Sequence, residues 1–87
     1  MDWKRRVKAA EKALLDLHAE AVSHLEAEHR AKKFAAERVF RRHDNNAEAA
    51  ELQRFEKAEP FKWAAMGRTS IQIGVMELIR AISQQSS

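Results

Sequence analysis

Eighty-seven residues with a net charge of +3 and no cysteine make at most one domain, too short to bury a large core. A disulfide staple and a cysteine-based zinc site are excluded, and so is a cysteine nucleophile. Tightly packed long helices, or apolar surface covered by further copies of the chain, are the supports that remain.

Two glycines, one proline and abundant Ala, Glu, Lys, Arg and Leu favour helix. The charge is banded. Residues 1–12 hold five bases and two acids, 13–28 four acids and no base, and 30–42 six bases against Glu37 alone. The start, Met1-Asp2-Trp3-Lys4-Arg5-Arg6, enters an amphipathic pattern rather than an apolar core, so no secretory signal is expected. The longest apolar-rich stretch, Ile71 to Ile82, is interrupted by Glu77 and Arg80, so no membrane span is expected and the cytoplasm is the expected compartment.

In chain order, Trp3, Val7, Ala10, Leu14, Leu17 and Ala21 recur at alternating intervals of four and three, the heptad pattern of a packed helix. His24 and Glu28 take the next two seam positions, after which Val22, Leu25, Ala36 and Phe40 continue an apolar face shifted by one residue. One helix from about Asp2 to Arg42 is predicted. His43-Asp44-Asn45-Asn46 reads as a turn, with Asn45 and Glu48 spaced as a capping box. A second helix is predicted from about Ala47 to Ala58. Pro60 removes a backbone donor and disfavours helix at Glu59, which places a kink or a new start there. A third segment runs from Pro60 to about Ser83, with a frayed tail from Gln84. The predicted fold is therefore all-α: a long helix, a turn at 43–46, and an antiparallel return helix broken near Pro60, bundled by oligomerisation.

Projected at about 100° per residue, the last segment carries three stripes. Ala64, Ile71, Val75, Leu78 and Ile82 form the expected core face. Gly67, Gly74 and Ala81 recur at intervals of seven, which suits close packing either against the first helix or between protomers. Thr69, Gln72, Ile73, Met76 and Arg80 mix hydrogen-bonding and apolar groups on the far side, the composition of a ligand pocket or of a second interface.

The run from Trp63 to Ile82 resembles the C-terminal helix of the phage anti-CBASS sponge proteins. Trp63, Arg68, Thr69, Gln72, Gly74, Met76, Leu78, Arg80 and Ala81 fill that family's pattern. Val75 stands where the family has Phe, no Pro follows the helix, and the chain has no Tyr for the aromatic residue that the family's N-terminal half supplies together with a Lys. The resemblance implies a small helical homo-oligomer, typically a hexamer, that holds a cyclic di- or trinucleotide signal between protomers without hydrolysing it. On that reading Arg68 clamps phosphate with its planar fork of donors. Thr69 and Gln72 bond phosphate, sugar or base, and Met76 lines the floor. Trp63 is placed to stack on a base, although packing is the commoner fate of such a residue.

Other constellations carry less. Glu26 and His29 form a Glu-x-x-His pair with Glu20 nearby, but a di-iron site needs a second pair, so no metal or cofactor is expected. Lys32, Lys33, Arg38, Arg41 and Arg42 suggest phosphate contacts to nucleic acid, yet they point several ways around one helix, and DNA or RNA is not the expected partner. Phe34 and Phe40 read as packing residues. Ser23 and His24 are neighbours that diverge on a helix, and no phosphate-cradling loop is present, so no enzyme is expected. The alternative to a sponge is a helical adaptor or antagonist that docks Ile73 and Met76 on a partner protein.

Overall fold

The computed structural model describes residues 2–42 and 47–85, the side chains of 39–42 and 85 excepted. The predicted turn at 43–46 and the Asn45 cap thus lie outside the described residues. Helix α1 spans Trp3–Arg42, α2 spans Ala47–Lys57 and α3 spans Pro60–Gln85. The chain is all-helical, as its composition predicts, and α3 extends two residues beyond the predicted end. Asp2 caps α1: its carboxylate oxygen Oδ1 accepts the Arg5 amide at 3.1 Å, satisfying one of the helix's unpaired N–H groups.

The elbow between α2 and α3 falls where Pro60 requires it. Glu59 takes a left-handed conformation at φ 52°, the usual way to end a helix, although glycine is the usual residue for it. Its carbonyl then accepts the Trp63 amide at 3.2 Å and opens α3. Pro60 at the first helical position loses nothing, because its missing N–H would have no partner in that turn.

Both return helices pack along α1, α2 on its C-terminal half and α3 on its N-terminal half. The half-buried stripe of α1 is Val7, Glu11, Leu15, His18, Val22, Leu25, His29, Lys32 and Ala36. This corrects the predicted seam. Of the seam residues from Trp3 to Ala21 only Val7 faces inward, whereas Trp3, Leu14 and Leu17 are exposed, Leu17 by 60%; beyond them Val22, Leu25 and Ala36 are half-buried, as the shifted face predicts. The reason lies in continuity. The seam beginning at Trp3 lapses at His24 and Glu28, while the one from Glu11 through Leu15 keeps heptad spacing as far as Ala36 and meets α2 as well as α3. In α3 the half-buried residues are Pro60, Ala64, Gly67, Ile71, Val75, Ile79 and Ile82. Ile79 thus takes the place expected for Leu78, which is exposed.

Polar ties set the register. His18 donates its Nε2 proton to the Ala64 carbonyl oxygen at 2.7 Å, joining α1 to α3. His29 donates to Glu56 Oε2 at 3.0 Å, and Lys32 to Glu51 Oε1 at 3.1 Å, joining α1 to α2. The His29 ring stacks on Phe55 at 5.5 Å and meets Phe61 edge-on at 5.8 Å, so one aromatic cluster fastens all three helices at the elbow. No described residue is fully buried. The hairpin is a rod of 69 × 18 × 11 Å.

Candidate ligand groove

The His18–Ala64 bond fixes how the antiparallel helices face one another. Ten residues before His18 stands Lys8, and ten after Ala64 stands Gly74, so the start of α1 lies beside the second half of α3. A groove of about 450 Å³ opens there, within the size range of small-molecule sites. Gln72, Val75, Met76 and Ile79 of α3 form one wall, and Lys4, Lys8 and Glu11 of α1 form the other. The groove's lining is mostly apolar, and Lys4, Lys8, Glu11 and Gln72 are its polar residues. Lys8 Nζ lies 3.5 Å from the Glu11 carboxylate, whose side chain is 18% exposed. Lys4 makes no ion pair among the described residues.

Gln72 and Met76, two of the four residues singled out in the sequence, share this groove. Thr69 lies with Ala65, Met66 and Ser70 in a shallower depression of about 330 Å³. Its hydroxyl donates to the Ala65 carbonyl at 3.3 Å, a local bond that leaves the oxygen free to accept. Arg68 is exposed, lines neither cavity and makes no ion pair among the described residues. Successive turns of one helix carry Arg68, Thr69, Gln72 and Met76, so all four lie on one broad flank of α3. Lys4, Lys8 and Glu11 were not singled out in the sequence. Their signal is the i, i+4 spacing of two lysines with an acid following on the same flank, which means little until α3 is laid beside it.

The other sequence features have definite places. Trp63 is 62% exposed, and Phe34, expected to pack, is equally open with Arg38 over its ring at 5.8 Å. A side-chain carbon added at Gly67 or Gly74 would meet nothing within 4 Å, so the small-residue stripe does not serve close packing against α1. In the basic run, Lys32 is held between Glu28 and Glu51. Hydrogen bonding and charge from Lys32, with Arg54 adding to them, hold the Glu51 carboxyl below the usual carboxylate range. A further concavity, of about 240 Å³ at the elbow, is lined by His29, Phe55, Glu56 and Phe61, the groups that fasten the three helices. Among the described residues no helix is long and apolar enough to cross a membrane.

Fold and groove define a class: a helical hairpin without a core of its own, whose chemistry is carried on its surface. Comparison with known proteins narrows it. The chain is 42% identical over 86 residues to anti-CBASS protein 2 of Pseudomonas phage JBD67, covering 97% of this chain and 80% of that protein. It belongs to the anti-CBASS protein 2 family. The kinship spans both arms of the hairpin, beyond the C-terminal helix that first suggested it. No family model matches the chain, and no solved structure matches it.

Proposed function

We propose that the chain binds and sequesters a cyclic di- or trinucleotide signal and so blocks a host's antiphage defence, acting without catalysis in the host cytoplasm as a homo-oligomer. Kinship to a protein named for countering CBASS carries the reading. The groove supports it chemically, because a cyclic oligonucleotide offers phosphates to cations, hydroxyls and base edges to amides, and flat apolar rings to Met76 and Ile79. Arg68 and Thr69, exposed on the same flank, are the phosphate and sugar contacts of this proposal.

Self-association is supported by surface area. The chain exposes 7156 Å², roughly 1,900 Å² more than a compact protein of its mass. That excess would supply two interfaces of about 800 Å² on each chain. Exposed Trp3, Leu14 and Leu17 on α1 and the Gly67–Gly74–Ala81 stripe on α3 lie on the flank opposite the groove. A ligand groove and an assembly face therefore do not compete for the same surface.

Isothermal titration against a panel of cyclic di- and trinucleotides, with cyclic ADP-ribose isomers included, tests the proposal. Tight binding is expected, with the ligand recovered intact after denaturation. Arg68→Ala and Thr69→Ala are each expected to weaken it at least tenfold while helicity and assembly persist. Silence across the panel overturns the reading and favours a protein-docking role for the exposed side chains of Ile73 and Met76.

A further inference from the structure

We propose that the concavity at the elbow binds an alkylammonium ion, with the apolar stem against Phe55 and Phe61 and the charge at the Glu56 and Glu59 carboxylates. Lys8 and His29 lie about 30 Å apart along α1, so this site stands or falls independently of the groove and of the cyclic-nucleotide reading. Three observations carry it. The cavity, of about 240 Å³, is walled by the rings of His29, Phe55 and Phe61 and carries the side chains of Glu56, Glu59 and Lys62. Two carboxylates against one ammonium make it negative, the reverse of the groove, where Lys4 and Lys8 face Glu11. The chain's own lysines already take up the chemistry offered there. Lys62 Nζ lies 3.4 Å from Glu59 Oε2, and Lys32 Nζ lies over the Phe55 ring, 5.9 Å from its centroid.

An ammonium brings three N–H donors and no acceptor, and a carboxylate offers several acceptor positions. His29 occupies one of those on Glu56, at 3.0 Å, and leaves the others for a guest. The Lys62 and Glu59 side chains are 62% and 56% exposed, so their pair is weakly held and an incoming ammonium displaces Lys62. The ring faces attract the cation, while its methylene stem covers apolar surface. By the share of liquid that one water occupies, the cavity has room for about eight waters, the space of a short alkyl chain rather than of a nucleotide. The two carboxylates also repel phosphate. A free alkyl diamine and a lysine side chain of another protein offer the same group.

The test follows the ring-proton signals of Phe55 and Phe61 by NMR in the full chain, titrated with n-butylammonium. Neutral n-butanol and anionic butyrate serve as probes of the same length. Only n-butylammonium is expected to shift these signals to saturation, with those of exposed Phe34 unmoved. Glu59→Gln should weaken binding about threefold or more, and Lys62→Gln should tighten it about twofold by freeing Glu59. Glu77→Gln removes the same charge from an exposed position of α3 outside the cavity and should change nothing. If Glu59→Gln loses helicity, Lys62→Gln decides alone, and unchanged or weaker binding by it overturns the site. 1,4-Diaminobutane and N-acetyl-lysine methylamide then separate the sources. Tighter binding of the diamine assigns a free amine, and tighter binding of the lysine derivative assigns a partner's side chain. An equal response to n-butanol, no response to n-butylammonium, or a Glu59→Gln variant that matches Glu77→Gln refutes the proposal and leaves the cavity a packing gap under the elbow.

Discussion

At the scale of single residues, the hairpin is tied by partly exposed polar groups where larger proteins use buried apolar ones. His18 bonds a carbonyl that lies within helix α3, so it adds a link between helices without taking a proton donor from the helix. Glu51 of α2 meets Lys32 of α1 across the α1–α2 contact. Lys32 and Arg54 favour its ionised form in the folded chain, so its folded pKa lies below the unfolded one. The stability it supplies is therefore present above the ordinary carboxylate range and is lost as pH falls through the depressed folded value. Thermal melts of wild type and Glu51→Gln should differ at pH 7 and converge toward pH 3. A difference that persists in acid would mean that Glu51 acts by packing rather than by charge.

At the scale of elements, the elbow shows what one proline decides. Helix propensity alone would carry α2 into α3, since Ala58 follows a regular run and its amide still bonds back to Arg54 at 3.2 Å. Pro60 ends that run, and Glu59 absorbs the change of direction at a cost of about 1–2 kcal/mol for a side-chain-bearing residue in the left-handed region. A β-branched residue tolerates this region least. Glu59→Val should destabilise the fold by about 1 kcal/mol or more in urea unfolding. Glu59→Gly should come out close to neutral, because relief of strain is offset by a freer unfolded chain. Equal stability of the two variants would show that the elbow relaxes to another geometry. The break was legible in the sequence for this reason: proline acts on its own backbone and its immediate neighbour, whatever the rest of the chain does.

At the scale of the molecule, a rod with a radius of gyration of 19.9 Å compares with about 12 Å for a compact domain of its length. Gly67 and Gly74 sharpen what that shape means. With open space around both in the single chain, alanine at either position should strengthen the helix by about 1 kcal/mol. In an assembly that uses the stripe for close approach, the same methyl group would clash. Gly74→Ala is therefore expected to lower the association constant seen in sedimentation equilibrium while leaving dilute-limit helicity intact or higher. The wild-type melting temperature should rise with protein concentration, as for any fold completed by its partners. A variant that is more stable at every concentration and still assembles would exclude the stripe from the interface.

How much of this was readable in advance follows the range of the forces involved. The three helices and the break before Pro60 come from propensity and proline geometry within a few residues, so they stand in the sequence. The pairing of Gln72 with Met76 on one flank was legible for the same reason, being helical periodicity. The first half of the α1 seam was not, although its continuation through Val22, Leu25 and Ala36 was. Two heptad-spaced stripes compete on that helix, through Leu14 and Leu17 and through Leu15 and Val22, and either one satisfies a local pattern. Only the return of α2 and α3 along the full length of α1 chose between them, because just one stripe stays continuous from Val7 to Ala36. That choice also brought Lys4 and Lys8 to the groove and left Trp3, Leu14 and Leu17 outside. Which face a helix buries depends on a partner more than forty residues away, and periodicity carries no term for that distance.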